Sequence, residues 1–243
     1  VRHGKSVGVV IPALNEERAI AKVISEIPAW VDQIVVADNG SDDATPERAR
    51  AAGATVVHEP QRGYGAACLR GIATLDDVSI VVFLDGDHSD QPAQMAQLVD
   101  PIAAGDCQFV LGARRGDGVH AGALTPQQRF GNWLACRLMR LLWRTDYTDL
   151  GPFRAIGSDA LQSLGMADRN YGWTIEMQIK AALANLATRE VAVGYRQRIG
   201  TSKISGTLKG TVMAGVKILW TIARFAFVHG PRFARPVRVQ PNQ

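Results

Sequence analysis

Residues 79–90 read Ser79-Ile80-Val81-Val82-Phe83-Leu84-Asp85-Gly86-Asp87-His88-Ser89-Asp90. An unbroken apolar run of this length suits a strand buried on both faces. It delivers two carboxylates, Asp85 and Asp87, separated by one small residue, to the strand end. Such a pair can point into one crevice and hold a hard divalent cation, Mg²⁺ or Mn²⁺, through oxygen, with phosphate oxygens completing the shell. The plainer alternative is an acidic turn in which Asp90 caps a helix opening at Gln91 and Pro92.

Outward from this stretch, apolar β-branched runs at 7–11, 33–38, 54–59 and 107–112 alternate with helical spacing at 16–27, 43–52, 65–75 and 92–104. Repeated strand–helix units predict an α/β fold with a doubly wound, mostly parallel sheet flanked by helices. Ligands of such sheets bind beyond the carboxyl ends of the strands. The polar residues after each strand should therefore converge: Asn15 and Glu16, residues 38–43, Gln61 and Arg62, residues 85–90, and Arg114. Beyond Gly112 the rhythm changes. A glycine-rich loop (114–125) precedes a helix at 126–144, an extended piece at 149–155, helices from Ser158 and over 173–187, a strand at 189–195, a polar loop at 196–206 and a last helix at 207–228.

The turn Asp38-Asn39-Gly40-Ser41-Asp42-Asp43 can present Asp38 to a base or ribose while Ser41, Asp42 or Asp43 caps the next helix. Gly63 and Gly65 follow a strand and open a helix, as in a dinucleotide fingerprint. The position that should be the third glycine is Cys68, however, and Arg62 stands in the turn, which excludes a nicotinamide site. A backbone approach to a nucleotide, with Arg62 toward its phosphates, is still open.

With 47% hydrophobic and 21% charged residues in 243, the chain can bury a sizeable core and is not disordered. Cys68, Cys107 and Cys136 contain no CxxC and read as reduced core residues. Residues 1–6 lead into a strand-like run ending at Pro12 that is too short and wrongly flanked for a signal peptide. Lys209, Lys217 and Arg224 interrupt the longest apolar stretch, so no uninterrupted span is expected.

The strings VVIPALNEE (9–17), ADNGSDDAT (37–45), FLDGDHSD (83–90), GAR (112–114) and RIGTSKISGT (198–207) together resemble the inverting family 2 glycosyltransferases of GT-A fold, in particular their dolichyl-phosphate mannose synthase-like branch. The resemblance implies one domain over 1–228: a nucleotide-sugar half (7–112), an acceptor half (113–206), an amphipathic helix (207–228) and a disordered tail (229–243). It implies that Pro12, Ala13, Leu14, Glu16 and Asp38 bind the nucleoside, with Arg62 near the phosphates, and that Asp85 and Asp87 contact ribose and metal. Ser89 stands where mannose synthases usually carry a glutamine ligand, so either it or water would complete the metal shell. Arg114, Arg129, Arg198, Ser202 and Lys203 fall where that branch binds the acceptor phosphate and donor diphosphate. Cations there offset the repulsion between two phosphate groups. Asp87, Arg114 and Glu176 are the catalytic candidates. Glu176 is open between a general base, an orienting group and a structural pair, because a phosphate acceptor with a second pKa near 6 needs no base.

At about 100° per residue, Arg129, Trp133, Arg137, Arg140 and Arg144 share a helical sector of roughly 80°, as do Lys209, Lys217 and Arg224 on the last helix. Basic faces with Trp and Phe suit the headgroup boundary of an anionic bilayer. The expectation is a cytoplasmic enzyme, peripheral on the inner membrane face, moving a hexose from GDP-mannose or UDP-glucose to a polyprenyl phosphate, with room for a homo-oligomer. A soluble saccharide or small phosphorylated acceptor, a nucleotidyltransferase and a nucleic-acid-binding module are the rivals. The last explains no acidic loop, so no nucleic acid partner is expected.

Overall fold

The computed structural model describes residues 1–200 and 208–230. Ser202, Lys203 and the 231–243 tail lie outside the described residues. In chain order the elements are β1 (Val7–Ala13), α1 (Ile20–Ser25), β2 (Gln33–Asp38), α2 (Thr45–Ala51), β3 (Thr55–His58), α3 (Tyr64–Ile72), β4 (Ile80–Phe83), α4 (Met95–Ala103), β5 (Phe109–Val119), α5 (Pro126–Trp143), β6 (Arg154–Gly157), α6 (Ser158–Leu164), α7 (Trp173–Leu183), β7 (Thr188–Tyr195) and α8 (Leu208–His229).

Seven strands form one sheet in the order β3-β2-β1-β4-β6-β5-β7. Every pairing is parallel except those of β6, which runs antiparallel to both β4 and β5. Strand order reverses between β1 and β4, the switch point at which open α/β sheets leave a crevice. Both sheet faces are covered. Val9, Ile11 and Val82 pack with Ile20, Val23 and Leu98 on one side. Val10, Val81 and Phe83 pack with Cys68, Trp173 and Met177 on the other. A third cluster joins Met139 and Trp143 of α5 to Ile175 and Ile179 of α7 and Ile222 of α8. The three cysteines are buried and free, as the spacing predicts.

Two boundaries and one helix property differ from the sequence expectation. Helix α1 starts at Ile20 rather than Glu16: residues 17–19 form a turn in which the Ala19 and Ile20 amides both donate to the Glu16 carbonyl at 2.9 Å, and the amides of Glu16 and Glu17 are capped by Thr45 Oγ1 (2.7 Å) and Asp43 Oδ2 (3.3 Å). Strand β5 runs on to Val119 through the stretch expected as a loop. There it pairs Arg114 with Val193 and then slips register, with Gly116 at φ +86° inside the irregular part. The third concerns membrane spanning. Residues Val212–His229 have mean hydropathy 1.4 and are 17% buried, so α8 is long and apolar enough to cross a bilayer by length and composition. Two cations in eighteen residues break the apolar run without lowering its mean below that of a span. A core helix can pass the same test, but this one is mostly exposed.

Between β5 and β6 the chain makes an excursion that closes on itself: the Gly112 amide donates to the Phe153 carbonyl at 2.9 Å.

Candidate functional site

Register brings the strand ends level. Ala13 pairs with Asp38 and Val10 with Phe83, so β1, β2 and β4 present Ala13, Asp38 and, just beyond, Asp85 at one edge of the sheet. A cavity of about 630 Å³ opens there. Pro12, Ala13, Leu14, Glu16, Arg62, Asp85 and Asp87 line it together with Arg114, Arg198, Asn132 of α5 and Ile218 of α8, and Arg198 reaches Asp87 directly. Residues from five strand-end loops thus meet as the fold rule requires. Asp38 is buried behind the lining and accepts from the amides of Gly40 (3.3 Å) and Ser41 (3.2 Å), while Asn39 takes its place on the wall. Arg129 is exposed on α5, outside the lining.

The two carboxylates differ in environment. Burial first, and then the charge of Asp87, pushes the Asp85 carboxyl up to about 6, although Arg198 and the Tyr64 hydroxyl, which donates to Asp85 Oδ1 at 3.1 Å, oppose this. Asp87 is buried with both oxygens engaged. Its Oδ1 accepts from the Ser89 amide (2.9 Å) and hydroxyl (2.5 Å), and its Oδ2 pairs with Arg198 at 2.6 Å. Ser89 is therefore turned onto Asp87 and lies outside the cavity lining. The Arg196 and Ile199 amides donate to the carbonyls of Ser89 (2.8 Å) and Asp87 (2.9 Å), tying the exit of β7 to the acidic loop. Asp90 does not cap the following turn: its carboxylate folds back to the Asp85 amide at 3.0 Å.

Among the described residues, no group of three or more His, Cys, Asp or Glu is placed to hold a metal. The donor set nonetheless suits a hard cation bound through phosphate. Two crowded carboxylates, one made reluctant to ionise by burial and then by its neighbour, gain from a shared positive charge, and a diphosphate would supply the remaining oxygens.

Arg114 is held by Asp149, the first residue of the extended piece at 149–155. Its Nε and Nη2 donate to the two oxygens of Asp149 at 2.8 and 2.7 Å, and its own amide donates to Oδ2 at 2.8 Å. Burial works against both charges, yet each outweighs that cost for the other: the Asp149 pKa is lowered and the Arg114 pKa raised. The guanidinium also lies 5.1 Å from the Tyr195 ring centroid. Arg154, fully buried, donates to the carbonyls of Leu150 (3.3 Å), Gly151 and Thr174 (3.0 Å), fixing the segment that carries Asp149. The acid and both arginines were visible in the sequence; that they interlock depends on β6 lying beside β5.

The glycines of the third loop serve a neighbour that the sequence did not show. A Cβ at Gly63 or Gly65 would collide with the carbonyls of Arg169 or Asp168, so these glycines admit another stretch of backbone, while Gly63 also lines the cavity. Glu176 holds that stretch in place. Its carboxylate accepts from the amides of Ala167 (3.2 Å) and Asp168 (2.7 Å) and pairs with Lys180 at 2.8 Å, away from the cavity lining.

Helices α5 and α8 close the cavity and turn large side chains to solvent. Phe130, Trp133 and Leu141 on α5 and Val212, Met213, Val216, Trp220 and Phe227 on α8 are exposed. Arg129, Arg137 and Arg224 are exposed among them. Arg140 pairs with Asp146 at 2.6 Å, and Lys217, expected on the outer basic stripe, turns to Asp168 at 2.8 Å.

The sequence profile described as glycosyl transferase family 2 matches residues 8–164. An uncharacterized glycosyltransferase of Mycobacterium tuberculosis is 35% identical over 213 residues, 87% of this chain and 95% of its own length. A dolichyl-phosphate hexose transferase of Haloferax volcanii is 31% identical over 201 residues, 81% of this chain and 85% of its own. Among solved structures, glucosyl-3-phosphoglycerate synthase from M. tuberculosis, crystallised with Mn²⁺, UDP and glucosyl-3-phosphoglycerate, superposes with a TM-score of 0.74 at 28% identity, covering 91% of this chain and 80% of its own.

Proposed function

This chain belongs to glycosyl transferase family 2, and from that premise we propose a metal-dependent inverting hexosyltransferase that uses GDP-mannose or UDP-glucose as donor and a polyprenyl phosphate as acceptor, at the cytosolic face of a membrane. The observation that carries the proposal is the lining of the cavity. It joins Asp85 and Asp87 with the cations Arg114 and Arg198 and with α5 and α8, the two helices whose outer faces are apolar and basic.

Asp85 and Asp87 would hold a Mg²⁺ or Mn²⁺ on the donor diphosphate, and such an ion neutralises the charge that builds on the leaving group. Pro12, Ala13, Leu14 and Glu16 shape the nucleoside end. Ser89 keeps Asp87 in one rotamer. Arg114, braced by Asp149, is the best-fixed cation of the site and binds the acceptor phosphate; Arg198, paired with Asp87, steadies the diphosphate. A phosphate oxygen attacks the anomeric carbon on the face opposite the diphosphate. One C–O bond forms, the other breaks, and the electron pair leaves with the nucleoside diphosphate. No proton need move, in keeping with Glu176 being spent on backbone amides. Ser202 and Lys203 are kept as acceptor-side candidates on their sequence context alone.

A second reading rests on the structural likeness to glucosyl-3-phosphoglycerate synthase, whose acceptor is a small soluble phosphate ester. The same arginines would serve it. Radiolabelled donor sugar, offered to protein with polyprenyl phosphate in anionic vesicles and in parallel with phosphoglycerate in buffer, separates the two. Label entering the organic phase, lost in Asp87→Ala, is the expected result. Label confined to the aqueous acceptor would overturn the lipid assignment, and release of pyrophosphate from a nucleoside triphosphate would overturn the transferase.

A further inference from the structure

Segment 166–172 lies between helix α8 and the donor loop and is in contact with both. On the α8 side, Asp168 Oδ2 pairs with Lys217 at 2.8 Å, and Gly172 passes so close to α8 that a Cβ there would stand 2.9 Å from Thr221 Oγ1. Toward the donor loop, the carbonyls of Asp168 and Arg169 press on Gly65 and Gly63. The Ala66 amide donates to the Arg169 carbonyl at 3.0 Å, and Arg169 Nη1 donates to Gln61 Oε1 at 2.7 Å. Next to those glycines stand Arg62 and Tyr64, both on the cavity wall, the latter bonded to Asp85.

The segment has little freedom to yield between these contacts. Glu176 accepts from the amides of Ala167 and Asp168, and Asp168 Oδ1 accepts from those of Asn170 (2.8 Å) and Gly172 (3.1 Å). Backbone packed against backbone transmits a displacement instead of absorbing it in a side-chain rotamer. Helix α8, by contrast, turns most of its surface outward and is seated on α5 and α7 along one face, through Ile218, Ile222, Phe225 and Ala226.

From this arrangement we infer that Lys217 and Asp168 are positioning residues for the donor: their ion pair sets the seat of α8 against segment 166–172, and through it the placement of Arg62 and Tyr64 around the nucleotide diphosphate. Neither side chain lines the cavity. Membrane engagement of α8 and affinity for the donor are thereby linked through one contact, and the linkage works equally in both directions. The inference rests on the Asp85 end of the cavity being the donor end, and it holds whichever acceptor is used.

The test is a mutant cycle read out by nucleotide affinity. Titrate UDP and GDP, each with Mn²⁺, into wild type, Lys217→Met, Asp168→Asn and the double variant, with Lys217→Arg as the conservative control and thermal melts to confirm folding. Asp168→Asn keeps an oxygen for the Asn170 and Gly172 amides, which guards the local turn. Each single variant should raise the nucleotide Kd and the donor KM by about fivefold, the upper range for a partly exposed pair, with kcat at saturating donor little changed. The double variant should be no worse than either single one, and Lys217→Arg should bind as wild type does. Folded single variants with wild-type Kd, or additive effects in the double, would overturn the inference while leaving the donor site intact. Failure of wild type to bind any nucleoside diphosphate would overturn the donor-site assignment and this inference with it.

Discussion

Replacing Gly65 by alanine sets two opposed effects against each other at one position. Gly65 lies in the first turn of α3, where alanine is favoured over glycine by up to about 1 kcal/mol. Against this, the added Cβ would sit 2.9 Å from the Asp168 carbonyl carbon and 3.0 Å from that of Arg169, and closer still to the Asp168 oxygen. Carbon contacts are ordinarily about 3.5–4.0 Å, so the shortfall is at least about half an ångström. It falls on backbone pinned by Glu176 and by the Ala66 amide. Overpacking costs about 1–3 kcal/mol, and overlap with a pinned carbonyl oxygen belongs to the upper part of that range, about 2–3 kcal/mol, which exceeds the helical gain. The net is a loss of roughly 1–2 kcal/mol, or about 2–8 °C in Tm for a domain of this size. Gly131 in α5 provides the contrast, because a Cβ there meets nothing within 4 Å. Only the favourable effect remains, and Gly131→Ala should melt about 2–4 °C higher than wild type. Differential scanning fluorimetry of the two variants decides the matter. A Gly65→Ala protein melting at or above wild type would refute the claim that segment 166–172 is a rigid neighbour of the donor loop.

Two further outcomes follow from the charged groups. Asp149→Asn strips Arg114 of its carboxylate while the guanidinium stays buried, which should cost about 3–5 kcal/mol and nearly all transfer activity; a variant with unchanged Tm and turnover would show that the fork is dispensable. Because the Asp85 carboxyl is pushed up to about 6 in the folded chain, from near 3.8, the native state binds more protons than the unfolded chain between those values. Stability should therefore fall as pH rises from about 4 to 6, and less so in Asp85→Asn. The rise in Tm on adding Mn²⁺ should shrink below about pH 6, where the ion must displace a proton. Superimposable pH profiles for wild type and Asp85→Asn would exclude this.

The alternation of apolar runs and helical spacing made the parallel sheet legible, and with it the edge where Pro12, Glu16, Arg62, Asp85, Asp87 and Arg114 meet. Those groups sit at strand ends, so their convergence depends only on strand direction. What was not legible depends on contacts between distant parts of the chain. Asp149 reaches Arg114 because β6 inserts antiparallel between β4 and β5, and a four-residue strand carries no sign of its neighbours. Gly63 and Gly65 were correctly marked as places of close approach, but the approaching group is residues 168–169, a hundred positions away. Lys217 shares a helical sector with Arg224, yet the acid at Asp168 turns it inward; helical angle fixes which face a residue shares, not what that face meets.

The bond between Gly112 and Phe153 closes residues 113–152 at one seam, from which β5 runs on beside β7 as far as Val119. The stretch carries both halves of the Arg114–Asp149 fork and the whole of α5, so its charge balance travels with it. Closing a loop of this size depends only weakly on its length. A swap between relatives at Gly112 and Phe153 would exchange the fork and α5 together, and would have to preserve the packing of α5 on α7 and α8 and the bonds of Arg115 and Thr148 to Glu190 of β7.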